Sequence, residues 1–584
     1  MPALERVPRI ALLSTGFLGI VFALMSRLFS FGGVALTNRA VAAWRRLGLS
    51  GWLGGLGVCA LLIALRWNSL ETPLTRDEGE YAYAAQILKH GQVPYEHAFM
   101  QKPPMVVYTY ALANALAPNT FWFPRVLAAA FAALVTCLVG LVARFEFGRG
   151  FALPAMWLTT PMLLCPGLWQ FTANTEMFMI LPLWAAIAVY VVSRHHLSAI
   201  CDSRQTTEGG APPPTFPGSR GAWFVAGVLG ATALWYKYTA LPILALLFVV
   251  WSIQDWRAGC GGRGLLGRGL CAVLGATIAS AAELEPLLAR DGGRRLWECT
   301  VVYNHFYRAS ATFGVSGLST WLWAFWVDWW FLFLLPAFLL VRPRRRVWFW
   351  VGMFLAAWVS TGASAMGHYY VVVMPFWALL AAVAIAEAAA LAATKLPFSQ
   401  ATLRRAFTAV VVLWVCLPDL PWITCTKEQF AAVKAGGGNA FIESQAVARR
   451  VAELTSPADP VFVAGSEPQI LYYANRFSPT RFVIVYPLML STPLARGYQQ
   501  EVMRDLERRP PAVIVLARSP FSWMPQKQSP LDFMNYLEKL LAEHYNPVGA
   551  WVGEGQSGEW EEPLLDADRA KASLVVFRRK DSPP

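Results

Sequence analysis

The sequence predicts a polytopic α-helical membrane protein of about eleven or twelve transmembrane helices, with a small C-terminal α/β domain outside the bilayer. Three observations lead there. Of the 584 residues, 56% are hydrophobic and only 15% are charged, whereas a soluble domain carries roughly a quarter charged residues. That scarcity fits a solvent in which each mid-depth Asp, Lys or Arg costs about 2.5–3.5 kcal/mol. Apolar runs of bilayer-spanning length then recur through the first two thirds of the chain. In the last third they give way to short β-branched runs separated by helical patterns.

The apolar runs fall near 50–67, 124–143, 151–170, 176–193, 221–236, 238–253, 268–284, 317–341, 346–364, 369–391 and 406–421, close to the length a hydrocarbon core demands. Residues 10–30 form a further apolar stretch without a small-residue cleavage site, so it reads as a signal-anchor, an extra span or an interfacial helix. The net charge of +13 does not point to nucleic acid, because the basic residues sit in short runs between spans. Counted from Arg45-Arg46, the runs Arg144/Arg149, Arg263/Arg268, Arg342–Arg346 and Arg404-Arg405 all fall on one side, which the positive-inside rule makes cytoplasmic. Arg294-Arg295 is the exception. Three domains follow: residues 1–49 as an N-terminal segment, 50–424 as a membrane domain whose first outer loop is 68–122, and 425–584 outside.

The Gly, Pro, Ser and Thr-rich segment 201–220 reads as a flexible inner loop. In the last domain VFVAG (461–465), RFVIVY (481–486), AVIVLA (512–517) and SLVVF (573–577) read as strands between helices, which implies a partly parallel sheet. No GxGxxG or Walker pattern accompanies them. The nine cysteines show no CxxC or Cys/His ligand spacing; Cys299 and Cys425 fall on the same side and are candidates for pairing.

Chemistry concentrates in TRDEGEYAYAAQILKHGQVPYEHAFMQKPPMVVYTYALANAL (75–116), directly after the first span. It holds Arg76, Asp77, Glu78 and Glu80, then an amphipathic pattern that stops at Gly91. Acidic residues in a first helical turn are favoured by the helix dipole, so capping alone accounts for a bare Asp-Glu pair.

The order DEGEY (77–81), GQVPY (91–95) and KPP (102–104) after a first span resembles the first outer loop of the GT-C glycosyltransferases, in particular bacterial members of glycosyltransferase family 39 (protein O-mannosyltransferases and aminoarabinose transferases). ANTE (173–176), GVLGATALWYKYTALPIL (227–244) and GHYYVVVMP (367–375) extend the resemblance over roughly residues 50–420. It implies an inverting transferase that moves a sugar from a polyprenyl-phosphate donor to an acceptor hydroxyl. The acceptor would be a protein, lipid or glycan, at the extracytoplasmic face of a bacterial plasma membrane.

An attacking alcohol must lose a proton, so a carboxylate is needed as general base. Asp77 matches the family's aspartate, with Glu78 beside it in the catalytic pair as a supporting residue for orientation, hydrogen bonding or metal. The leaving phosphate needs cations rather than a strong acid: Lys102 and Lys237 are the candidates, with Arg76 and Arg125 behind them. Tyr81, Glu176, His368 and Tyr369 are candidate substrate contacts. Lys237 equally fits a lysine snorkelling among interfacial aromatics, Glu176 a helix N-terminal charge, and His368 a satisfied interfacial histidine. No cofactor or metal is required by this scheme, although Asp77, Glu78, Glu176 and His305 would offer a divalent cation an oxygen-rich site if folding joined them. The competing class is a transporter or lipid flippase, which would show repeat symmetry and broken helices at mid-membrane.

Overall fold

The computed structural model describes residues 49–584 except 119, 165–169, 205–216, 291, 311–314, 342–345, 365, 437, 554, 565–570 and 582–584. The apolar stretch 10–30 and most of the 201–220 loop lie outside the described residues. Each of the eleven apolar runs overlaps a helix among the described residues, as expected where a backbone in lipid must satisfy its own hydrogen bonds. They are α1 (Leu49–Trp67), α4 (Phe123–Phe147), α5 (Ala152–Leu164), α6 (Thr175–Arg204), α7 (Pro217–Tyr236), α8 (Leu241–Arg257), α9 (Gly262–Leu288), α10 (Val315–Val341), α11 (Val347–Ser360), α12 (Met374–Ala392) and α13 (Gln400–Cys416). Two more, α2 (Arg76–Lys89) and α3 (Met105–Leu116), form the loop between α1 and α4.

Seven helices among the described residues are long and apolar enough to cross a bilayer. Helices α6 and α12 are buried for most of their length, whereas α9, α10 and α13 turn most of theirs outward. The outward side chains include Leu266, Val273, Trp323 and Leu413, a surface that only lipid would stabilise. This is a multi-pass integral membrane protein. Helices α7 and α9 approach most closely where glycines remove the side chain: a Cβ on Gly227 would lie 2.0 Å from the Ala272 carbonyl oxygen, and one on Gly275 2.2 Å from that of Phe224.

At one end of the bundle the inter-span polar residues meet. Arg194 and Arg346 both reach Glu146, the latter at its backbone carbonyl (3.0 Å), and Arg268 pairs with Asp255. The last domain sits at the other end. It contains α14 (Ser444–Leu454), β1 (Val461–Ala464), α15 (Pro468–Ala474), α16 (Ala495–Arg508), β2 (Val513–Ala517), α17 (Asp532–His544), β3 (Tyr545–Val552), β4 (Glu559–Glu561) and β5 (Ala572–Arg579). The sheet runs β1-β2-β5-β3-β4, parallel between β1 and β2 and antiparallel elsewhere. Three of the four expected strands are present as β1, β2 and β5. The fourth, 481–486, is not a strand: its backbone bends against the membrane domain, where the Phe99 N–H donates to the Arg481 carbonyl at 2.6 Å. Cys299 and Cys425 are free thiols rather than a pair.

Arg295, the exception to the charge pattern, has its explanation at this end. Its guanidinium lies among Glu96 (3.5 Å), Glu298 (2.8 Å) and Glu501 (3.3 Å), so it ties the last domain to the membrane domain. Arg481 adds bonds of 2.7 Å to Glu298 and Glu501.

Candidate active site

Helix α2 carries the first carboxylates. It stops at Gly91, whose φ of +77° is left-handed and suits a residue without a Cβ. The chain then folds back through Tyr95, itself at φ +73°. That strained residue is held by its hydroxyl, which donates to the Lys102 carbonyl at 2.8 Å, and by its N–H, which donates to Ala98. The turn and KPP motifs are therefore one device, which sets Lys102 beside α2.

Glu78 points into the membrane domain. It receives Nε and Nη2 of Arg125 at 2.8 and 2.6 Å, the Ala173 N–H at 2.9 Å and the Thr75 N–H at 3.1 Å. Arg125 further donates to the carbonyls of Ser69, Thr72 and Pro73, and both side chains are fully buried. Burial would raise the Glu78 carboxyl, but the Arg125 guanidinium and these donors hold it below the usual range. Sequence reasoning placed Glu78 in catalysis and Arg125 on the donor phosphate. Neither has an edge left for a substrate, and together they latch α2 and the segment before it to α4. Arg76 is likewise diverted: its Nε donates to the Ser466 carbonyl (2.7 Å) and its Nη2 to Glu467 (3.1 Å), both in the last domain.

The remaining candidates converge. The Asp77 side chain is 28% exposed, and its Oδ2 lies 3.9 Å from His368 Nε2, which lies equally far from Glu176 Oε1. Glu176, in the first turn of α6, pairs with Lys237 Nζ. Lys237 stands in extended backbone (φ −161°, ψ 127°) between α7 and the next turn, and its ammonium lies 3.1 Å from the Tyr369 ring centroid. Burial would lower the Lys102 ammonium, yet Tyr369 and the Asp77, Glu80 and Glu176 carboxyls around it hold it above its usual range. Burial keeps the His368 imidazole below its usual range in spite of Glu176 and Asp77, so it is neutral near pH 7. Tyr81 is fully buried edge-on to Tyr110 (5.5 Å), with its hydroxyl unpartnered.

Sequence reasoning passed over Glu80, three residues after Asp77 and only 1% exposed. Burial pushes its carboxyl up to about 8, with Lys102 working against the rise and Asp77 adding to it. It also passed over Tyr486, which closes the group from the last domain and bonds to Gln101 beside Lys102. Glu80 was visible as a third carboxyl on the face of Asp77; Tyr486 carried no signal, being almost four hundred residues away. Among the described residues no three His, Cys, Asp or Glu side chains are placed to hold a metal ion. Glu78 in particular is turned toward Arg125.

No family model and no characterised protein sequence matches the chain. Solved structures do. ArnT from Cupriavidus metallidurans in the apo state superposes with a TM-score of 0.58 at 14% identity, over 90% of this chain and 98% of its own. The same enzyme bound to undecaprenyl phosphate gives 0.58 at 17% identity, over 91% and 98%. The chain shares the overall fold of ArnT. Archaeal oligosaccharyltransferase AglB from Archaeoglobus fulgidus, in complex with an inhibitory peptide and a dolichol-phosphate, aligns more distantly at TM-score 0.48 and 11% identity, over 88% of this chain and 74% of its own.

Proposed function

We propose that this chain is an inverting glycosyltransferase that moves a sugar from a polyprenyl-phosphate donor to an acceptor hydroxyl. The observation that carries the reading is the convergence, within a GT-C fold, of one partly open carboxylate (Asp77) with Lys102 and the Glu176–Lys237 pair. Undecaprenyl phosphate bound to a protein of the same fold supports a lipid-phosphate donor. In this reading the acceptor hydroxyl gives its proton to Asp77 as its oxygen attacks the anomeric carbon. The phosphate leaves from the opposite face, so configuration inverts. Lys102 and Lys237 stabilise the charge it carries away, and His368 and Tyr369 line the donor side. Residues 50–424 form the catalytic membrane domain and 68–122 its first outer loop. Domain 425–584 covers the site and approaches the acceptor, a protein, lipid or glycan. The basic runs opposite that domain favour a cytoplasmic far end, and in this reading the site lies on the extracytoplasmic face of a bacterial plasma membrane.

The test is release of labelled sugar from a polyprenyl-phosphate donor by the protein in lipid nanodiscs. Asp77→Asn should lower turnover by about a hundredfold or more while leaving donor binding in place. Unchanged turnover would remove Asp77 as the base. Translocation of lipid without release would convert the reading to a flippase.

A further inference from the structure

Glu80 lies one helical turn from Asp77, on the same face of α2, and its Oε1 is buried without a hydrogen-bond partner. The groups facing it come from four places. Asp77 and Tyr81 are on its own helix, and Tyr95 and Lys102 come from the 91–104 loop. Tyr303 stands on the short helix Tyr303–Ser310, and Tyr486 belongs to the last domain. Lys102 is the cation of this set, and it also faces Asp77 and Glu176.

An anionic donor drawn to Lys102 would therefore enter beside three carboxyls. Glu176 is paired with Lys237, and the Asp77 side chain is 28% exposed. Glu80 is 1% exposed and, among the described residues, faces Lys102 as its cation, which it shares with the other two carboxyls, so a proton there relieves the crowding most cheaply. We propose that the site takes up a phosphodiester anion at Lys102 together with a proton on Glu80, so that donor binding and Glu80 protonation are one coupled event. The inference rests on the glycosyl-donor reading above. Glu80 is then a positioning residue that sets how much negative charge the site already holds when the donor arrives.

The experiment measures binding of a short-chain polyprenyl methyl phosphodiester, whose single charge is constant between pH 6 and 9, to the full chain in nanodiscs. For wild type, Kd should weaken about tenfold from pH 7 to pH 9, as proton linkage requires. Glu80→Gln imitates the neutral acid, so it should change less than about twofold and bind at pH 9 as wild type does at pH 7. Equal slopes in both proteins would assign the titration to a group other than Glu80, such as Lys237, and overturn the proposal, as would a flat wild-type profile. Absence of binding at every pH would overturn the donor reading itself. A readout independent of any variant is proton uptake by wild type on mixing at pH 8.5 in weak buffer. Uptake of a fraction of a proton per ligand supports the coupling, and none refutes it.

Discussion

Glu78 gives both carboxylate oxygens to a buried arginine, while the adjacent Asp77 keeps 28% of its side chain open beside His368. Breaking the Glu78–Arg125 pair should therefore show in stability before it shows in mechanism. Arg125→Ala leaves a buried carboxylate alone, which costs about 3–5 kcal/mol; thermal unfolding in detergent should register the loss, with donor binding falling alongside the folded fraction. Glu80 makes a pH prediction of the opposite kind. Its folded-state value is raised to about 8, so the native protein holds an extra proton above the unfolded carboxyl range near pH 4. Its contribution is greatest below that range and is lost as pH rises toward 8. Glu80→Gln should flatten this alkaline decline in melting temperature. At this scale the sequence made Asp77 and Lys102 readable, because short motifs hold them near one another. The partnership of Glu78 with Arg125 spans 47 residues and leaves no local pattern. Arg76 looked like a site cation because nothing in the chain before residue 425 announces Glu467.

Among the elements, α2 is the most constrained. A Cβ on Gly79 would meet the Gln469 N at 2.7 Å and its Cβ at 2.8 Å, so helix and last domain touch backbone to backbone. Gly79→Ala forces one to move, at a cost of about 1–3 kcal/mol. Faster proteolytic release of residues 425–584 should accompany a loss of transfer activity. Gly227→Leu should separate α7 from α9 and lower the melting temperature without touching the donor's charged contacts. The spans were legible because apolar length is itself the physical requirement for crossing a bilayer. Strands β3 and β4 were not: Asn546, Pro547 and Gly549 interrupt the alternation in β3, and β4 has only three residues. Segment 481–486 misled in the other direction. Its β-branched residues are buried, but its backbone bonds to the Phe99 N–H and to the Ser466 hydroxyl rather than to a neighbouring strand.

Across the whole molecule, the two domains are joined by a charged seam in which Arg481, itself nearly buried, bridges Glu298 of the membrane domain and Glu501 of the sheet domain. Arg481→Ala should weaken the seam by about 2 kcal/mol, seen as faster hydrogen exchange in 478–486 and in the 298–310 helix. With Arg76 on Ser466 and Glu467, Tyr83 accepting from the Ser478 N–H at 2.9 Å and Tyr473 accepting from Leu74 at 2.8 Å, this seam joins parts that the sequence separates sharply. The Gly79–Gln469 contact then carries a practical meaning for engineering. Residues 425–584 are no plug-in cassette: a graft of that segment from another protein of this architecture would press foreign backbone against the helix that presents Asp77. A working chimaera would need α2 and the 91–104 loop transplanted as a matched set.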